Sequence, residues 1–141
     1  MTAEEEANVA TLTKGFTEWG ETRGASVDNW MNLMADDVQW QTLGAAAAGH
    51  EFTQGCRSKP EVKRYFDELG TSWEMLSYQM NEFITQGDRV VAMGETSWRH
   101  RGTGKVVHTP LVNVLRMRNG KIADFMEFYD TAAAMAGTQL P

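Results

Sequence analysis

The stretch VNVLRMRNGKIADFMEFYD, residues 112 to 130, decides the fold. Asn119 and Gly120 suit the left-handed backbone of a two-residue hairpin loop, and apolar residues alternate with polar ones on both sides. The segment reads as two antiparallel strands in which Arg118 pairs with Lys121. Counting back from that pair places Val112 opposite Glu127. Glu127 is the residue out of place, because it shares the period-two parity of Phe125 and Tyr129 where an apolar side chain belongs.

Working outward, extended runs at roughly 73–85, 89–101, 105–118 and 121–130 are separated by QGD, GTG and NG, the pattern of a four-strand antiparallel meander. A three-residue GTG loop would pair Arg101 with Lys105 and set Trp98 across from His108. On that register one face carries Thr96, Trp98, His108, Pro110, Val112, Val114, Phe125, Glu127 and Tyr129. The other carries Leu111, Leu115, Met117, Ile122, Met126 and Phe128. Both faces are apolar, so one is expected under helices and the outer one against a second copy of the chain, giving a homodimer.

Those helices are read in the first half. Thr2 with Glu5 forms a capping box, followed by Val9, Leu12, Phe16 and Trp19 at helical spacing and an end near Gly24. A second helix starts around Ser26 to Asp28 and carries Trp30, Leu33 and Met34, after which ADDVQWQTLG turns extended. SKPE opens a third, with Ser58 as cap, Pro60 in the first turn, then Val62, Tyr65, Phe66 and Leu69, and Gly70 as its stop. Three N-terminal helices packed on a curved antiparallel sheet make an α+β domain, expected to occupy 1–141 as one unit.

Composition narrows the function. A net charge of −6 and the lack of any basic run argue against a nucleic-acid partner. One cysteine, Cys56, excludes an internal disulfide, and no Cys/His spacing points to a metal; the helix N-terminus beside its thiol does not make it a nucleophile without a histidine at hand. No apolar run approaches membrane-spanning length and the acidic start lacks the features of a secretion signal, so a cytoplasmic location is expected, with no membrane partner.

The order of NLMADDVQW, SKPEVKRYFDEL, TQGDRVVAMGE and VNVLRMRNGKIADFMEFYD resembles the cone-shaped NTF2-like superfamily, in particular its SnoaL-like, ketosteroid isomerase-related branch. The resemblance spans nearly the whole chain. It implies a curved sheet wrapped round an apolar hollow, but not one chemistry, since the superfamily hosts isomerases, cyclases, hydrolases and non-enzymes. Ketosteroid isomerases use an aspartate base, a helix-borne tyrosine and a protonated aspartate. The corresponding positions here hold Thr42, the Phe16 and Trp19 turns, and Val112, so that mechanism does not carry over. In the polyketide cyclase branch the acid/base carboxylate lies on the last strand, and the matching position is Glu127.

The expected site therefore has Glu127 as acid/base and His108 assisting from about 13 Å along the neighbouring strand. Trp40, Trp98, Phe125, Tyr129, Val112, Phe16 and Trp19 would wall an apolar small-molecule pocket, and the reaction would move a proton beside a carbonyl without cofactor or metal. The alternatives are a Glu127 held as a buried carboxylate by Tyr129, His108, Trp40 or Trp98, a His108 that caps the sheet edge, and a non-catalytic ligand-binding or dimerisation module. The segment AAAAGHEFTQG around His50 reads as a loop over the cone mouth.

Overall fold

The computed structural model describes residues 1–44 and 50–140. Helix α1 (Ala3–Glu21) starts where Glu5 N–H donates to Thr2 Oγ1 at 3.1 Å and Thr2 N–H donates to Glu5 at 2.7 Å. These two bonds satisfy donors that a bare helix start would leave open. Leu12, Phe16 and Trp19 form its buried stripe. α2 (Val27–Leu33) buries Trp30 and leads into strand β1 (Met34–Thr42). A single 3₁₀ turn, Glu51–Thr53, precedes α3 (Lys59–Ser72), which begins at Ser58 as read from the sequence but continues past Gly70. Strands β2 (Trp73–Gln86), β3 (Arg89–His100), β4 (Val106–Arg118) and β5 (Lys121–Tyr129) follow, then α4 (Thr131–Gly137).

The sheet order is β1-β5-β4-β3-β2, with the meander antiparallel and β1 alongside β5 in parallel. α1 lies across β2 so closely that a Cβ on Gly20 would stand 2.2 Å from the Tyr78 carbonyl oxygen. Trp40, Phe66, Trp73, Leu115, Ile122 and Phe125 belong to one core between helices and sheet. The architecture is the cone-shaped α+β arrangement read from the sequence, with α4 added at its end.

The meander register corrects the sequence reading at two places. Asn119 (φ 53°) and Gly120 (φ 76°) make the expected loop, and Arg118 pairs with Lys121. The ladder then goes from Met117↔Ile122 to Arg116↔Asp124, so Ala123 is an extra residue bulged out of β5. Beyond the bulge Asn113, not Val112, faces Glu127. At the other hairpin Arg101 leaves the ladder, its N–H donating to Ser72 O at 2.9 Å and its Nε to Gly70 O at 3.0 Å. His100 closes the ladder with Lys105 in its place, and Ser97, not Trp98, faces His108.

Each displacement is one residue, and a one-residue slip turns a strand over. β4 is therefore inverted relative to the expectation. Val107, Thr109, Leu111, Asn113, Leu115 and Met117 point into the core, while His108, Pro110, Val112, Val114 and Arg116 lie on the outer face. Across β3 the two slips cancel, which leaves Thr96 and Trp98 on the same face as Glu127. On β5, Ile122 is also in the core, whereas Met126 is half-buried and Phe128 is 41% exposed on the outer side.

Candidate active site

The concave side of the sheet and the helices enclose a cavity of about 70 Å³. Pockets that enclose drug-sized ligands run to ~300–1,000 Å³, so this space as it stands takes a group of only a few heavy atoms. Phe16, Trp19, Trp40, Trp98, Phe125, Tyr129 and Glu127 all line it. Trp40 from β1 and Phe125 from β5 stack with ring centres 3.8 Å apart and 12° between planes, forming one flat side. Phe16 from α1 lies nearly parallel to Tyr78 from β2 at 6.1 Å.

His108 and Val112 do not reach this cavity, because the bulge at Ala123 turned β4 over. His108 is solvent-exposed on the outer face, with Nδ1 2.6 Å from Ser97 Oγ and Nε2 3.5 Å from the Glu95 carboxylate. Val112 is half-buried on that same face. His50 is buried with its ring against Phe52 and Trp73, and the residues before it, 45–49, to which the expected loop over the mouth belongs, lie outside the described residues. Cys56 is buried beside Trp40 in an isolated bridge, and burial pushes its thiol up, away from the ionised form a nucleophile needs.

Glu127 is gripped by residues that the sequence reading did not single out. Tyr78 Oη stands 3.1 Å from Glu127 Oε2. The Asn113 amide bridges the two: with its nitrogen toward the carboxylate, Nδ2 donates to Oε2 at 3.1 Å and Oδ1 lies 2.9 Å from Tyr78 Oη, so the single Tyr78 proton is shared between Asn113 and Glu127. Asn113 is 0% exposed, and a buried amide on an otherwise apolar strand face is stable only with such partners. Thr42 sits beside Glu127 on the adjacent strand and its hydroxyl reaches Tyr65 Oη at 3.4 Å, bringing α3 to the same spot. Tyr129 donates to Leu43 O, which ties the end of β5 to β1 and aims its hydroxyl away from Glu127.

The electrostatics follow from this packing. Burial disfavours the charged carboxylate and raises the Glu127 pKa to about 7; the hydrogen bonds from Tyr78 and Asn113 pull the other way and lose. Burial also pushes Tyr65, Tyr78 and Tyr129 up, helped by the Glu127 charge, so all three stay neutral and can donate. Glu127 is thus poised between its acid and base forms near neutral pH. No group of three or more His, Cys, Asp or Glu side chains is placed to hold a metal ion among the described residues. Nor is any helix among them long and apolar enough to cross a membrane.

Asn113 would have been visible as the lone amide of VNVLRM had the bulge been counted, and Tyr78 as the aromatic of WEMLSYQM. The register of β2 slips twice, between Met75 and Ser77 and between Met80 and Glu82, which hides the parity of Tyr78.

Residues 15–125 match the model of the SnoaL-like domain, and the chain belongs to that family. Among solved structures it is similar to an NTF2-like protein from Burkholderia thailandensis, with 25% identity, coverage of 99% of each chain and a TM-score of 0.77. It is also similar to a proposed SnoaL-like polyketide cyclase from Jannaschia, at 18% identity over 100% of this chain and 97% of that one, TM-score 0.81. TerC, co-crystallised with polyporic acid, shares 20% identity over 92% and 96% of the two chains with a TM-score of 0.76. No curated protein matches the chain.

Proposed function

We propose that this chain is a SnoaL-like small-molecule enzyme of the isomerase or cyclase type, in which Glu127 moves a proton beside a carbonyl of an apolar substrate without a cofactor. One observation carries the reading: a carboxyl whose pKa burial raises to about 7 lines an aromatic cavity. A general base works best with a pKa near the working pH, and burial tunes Glu127 to that range. The ionised Glu127 takes a proton from the carbon next to the carbonyl, and the electron pair of that C–H bond moves toward the carbonyl oxygen. The neutral hydroxyl of Tyr65, which accepts from Thr42, is the donor available to the oxygen as it becomes negative, that of Tyr78 being engaged with Asn113 and Glu127. Protonated Glu127 then returns its proton to another carbon, as an isomerase, or to an oxygen after ring closure, as a cyclase.

The family relationship supports this class, and the fold is shared with a proposed polyketide cyclase from Jannaschia and with TerC, which was co-crystallised with polyporic acid. A cytoplasmic homodimer that buries the outer sheet face goes with the reading, since Phe128 is 41% exposed there beside Val112, Val114 and Met126. A non-catalytic ligand-binding module is the second reading, favoured by the absence of a carboxylate at Thr42, where the isomerases keep their base.

The test needs no known substrate. Small ketones and β-dicarbonyl compounds are incubated with the protein in D₂O, and exchange of the hydrogens next to the carbonyl is followed by NMR. Catalysed exchange that Glu127→Gln abolishes is expected; exchange undiminished in that variant removes Glu127 from the mechanism, and no exchange in the parent protein favours the binding module.

A further inference from the structure

The charge balance of the Glu127 cavity points to a ligand class. All five tryptophans of the chain, Trp19, Trp30, Trp40, Trp73 and Trp98, line it, and no Lys, Arg or His among the described residues does. Glu127 is its one carboxylate among the described residues. Around that group stand Thr42 on β1, Tyr65 on α3, Tyr78 on β2, Asn113 on β4 and Tyr129 on β5, none of them charged at neutral pH. Tyr78 Oη and Asn113 Nδ2 each lie 3.1 Å from Oε2, and Oε1 receives no hydrogen bond among the described residues. A buried carboxylate without a positive partner is costly, and indole rings attract cations through their electron-rich faces. An anionic ligand would meet the ionised Glu127 with no positive side chain among the described lining residues to offset it.

We infer that the cavity takes a small organic cation, a tertiary or quaternary ammonium group of a few heavy atoms, with its methyl groups against the tryptophan rings and its charge against Glu127. The inference rests on the reading that the Glu127 cavity is the ligand site. The cavity volume suits such a group, because about 70 Å³ is roughly five times the ~10–15 Å³ of cavity that holds one water molecule. The cation supplies the partner that the protein withholds from its acid, so binding drives Glu127 into its ionised form and expels a proton.

The probes are tetramethylammonium and tert-butanol, a cation and a neutral molecule of similar size, titrated by calorimetry and by tryptophan fluorescence. At pH 8 tetramethylammonium should bind at least about tenfold tighter than tert-butanol. Its affinity should fall about tenfold at pH 6, following the ionised fraction of a carboxyl with a pKa of about 7, while tert-butanol is unaffected. His50 and His100 both rest against Trp73, so Glu127→Gln isolates the carboxylate from them: that variant should lose the cation preference and its pH dependence. In the unaltered protein, calorimetry at pH 7 in buffers of different ionisation enthalpy should show about half a proton released per cation bound.

Equal affinity for the two probes, a preference that survives Glu127→Gln, or binding without proton release would each overturn the inference. If exchange beside carbonyls is catalysed but the cation is not preferred, the cation inference fails alone. If the cation is preferred but no exchange occurs, it is the acid/base reading that fails.

Discussion

The hydroxyl of Tyr78 and the carboxylate of Glu127 meet at 3.1 Å although 49 residues separate them in the chain. Tyr78 is on β2 and Glu127 on β5, with β3 and β4 between them in the sheet. In a flat sheet that separation is about 14 Å, so the contact measures how strongly this one bends. The bend has local causes. β2 carries two register shifts, and a Cβ on Gly94 in β3 would stand 1.8 Å from Gln79 O, an approach only glycine permits.

Replacing Tyr78 by Phe keeps the ring beside Phe16 and removes one donor to Glu127. The titration midpoint of Glu127 should rise from about 7 by up to roughly one unit, since a hydrogen bond to the ionised form has been lost. The infrared carboxyl band of Glu-labelled protein across pH 6 to 9 checks this. An unchanged midpoint would mean that Asn113 alone holds the carboxylate.

Glu127 should also leave a mark on stability. Its pKa is raised from 4.5 to about 7 in the folded protein, so between those values the folded state binds more protons than the unfolded one. Stability therefore falls as pH rises from about 4.5 to about 7, by roughly 3 kcal/mol in all, and is flat in this respect above that range. Glu127→Gln has no charge to bury and should be the more stable protein at pH 8, with the gap closing toward pH 4.5. Urea denaturation at both pH values measures it, and a gap independent of pH would show that burial does not set the titration.

Two glycines in helices should respond in opposite directions to alanine. At Gly20 the new methyl group would be driven into the Tyr78 carbonyl at 2.2 Å, forcing α1 off β2 at a cost of about 2 kcal/mol or more. At Gly70 in α3 nothing lies within 4 Å, and alanine should stabilise the helix by about 1 kcal/mol. Chemical denaturation of the two variants tests the seating of α1, which also carries the cavity residues Phe16 and Trp19.

His108→Ala should leave catalysed exchange intact and change stability by less than about 0.5 kcal/mol. Its side chain is 58% exposed and its partner Glu95 53%, on the side of the sheet away from the cavity. A loss of exchange in this variant would place chemistry on the outer face.

The elements were legible in the sequence wherever a local rule governs them. The Thr2 and Ser58 caps, the Asn119-Gly120 loop and the limits of all four meander strands depend on near neighbours in the chain. Registers depend on sums along it, so single events at Ala123 and Arg101 moved His108 and Val112 to the wrong side while each strand stayed in place. Trp98 was assigned correctly only because those two shifts offset each other. Glu127 stood out because an acid at an apolar parity position is visible without any register, whereas Tyr78 and Asn113 acquire their roles only when distant strands converge. α4 was overlooked although Asp130 before an alanine run is a capping signal: its carboxylate accepts from Ala133 N–H at 3.0 Å, and Ala134 helps close the cavity.

The extra residue at Ala123 decides on which surface of the last strand a proton donor can operate. With no residue lost, a regular ladder through Ala123 would present Phe128 to the hollow and the acid to the exterior, whereas a relative lacking that one position would keep its acid opposite Asn113 and inward. A switch from bulged to regular pairing at this point is therefore a change of chemistry, even where the helices and loops remain superimposable.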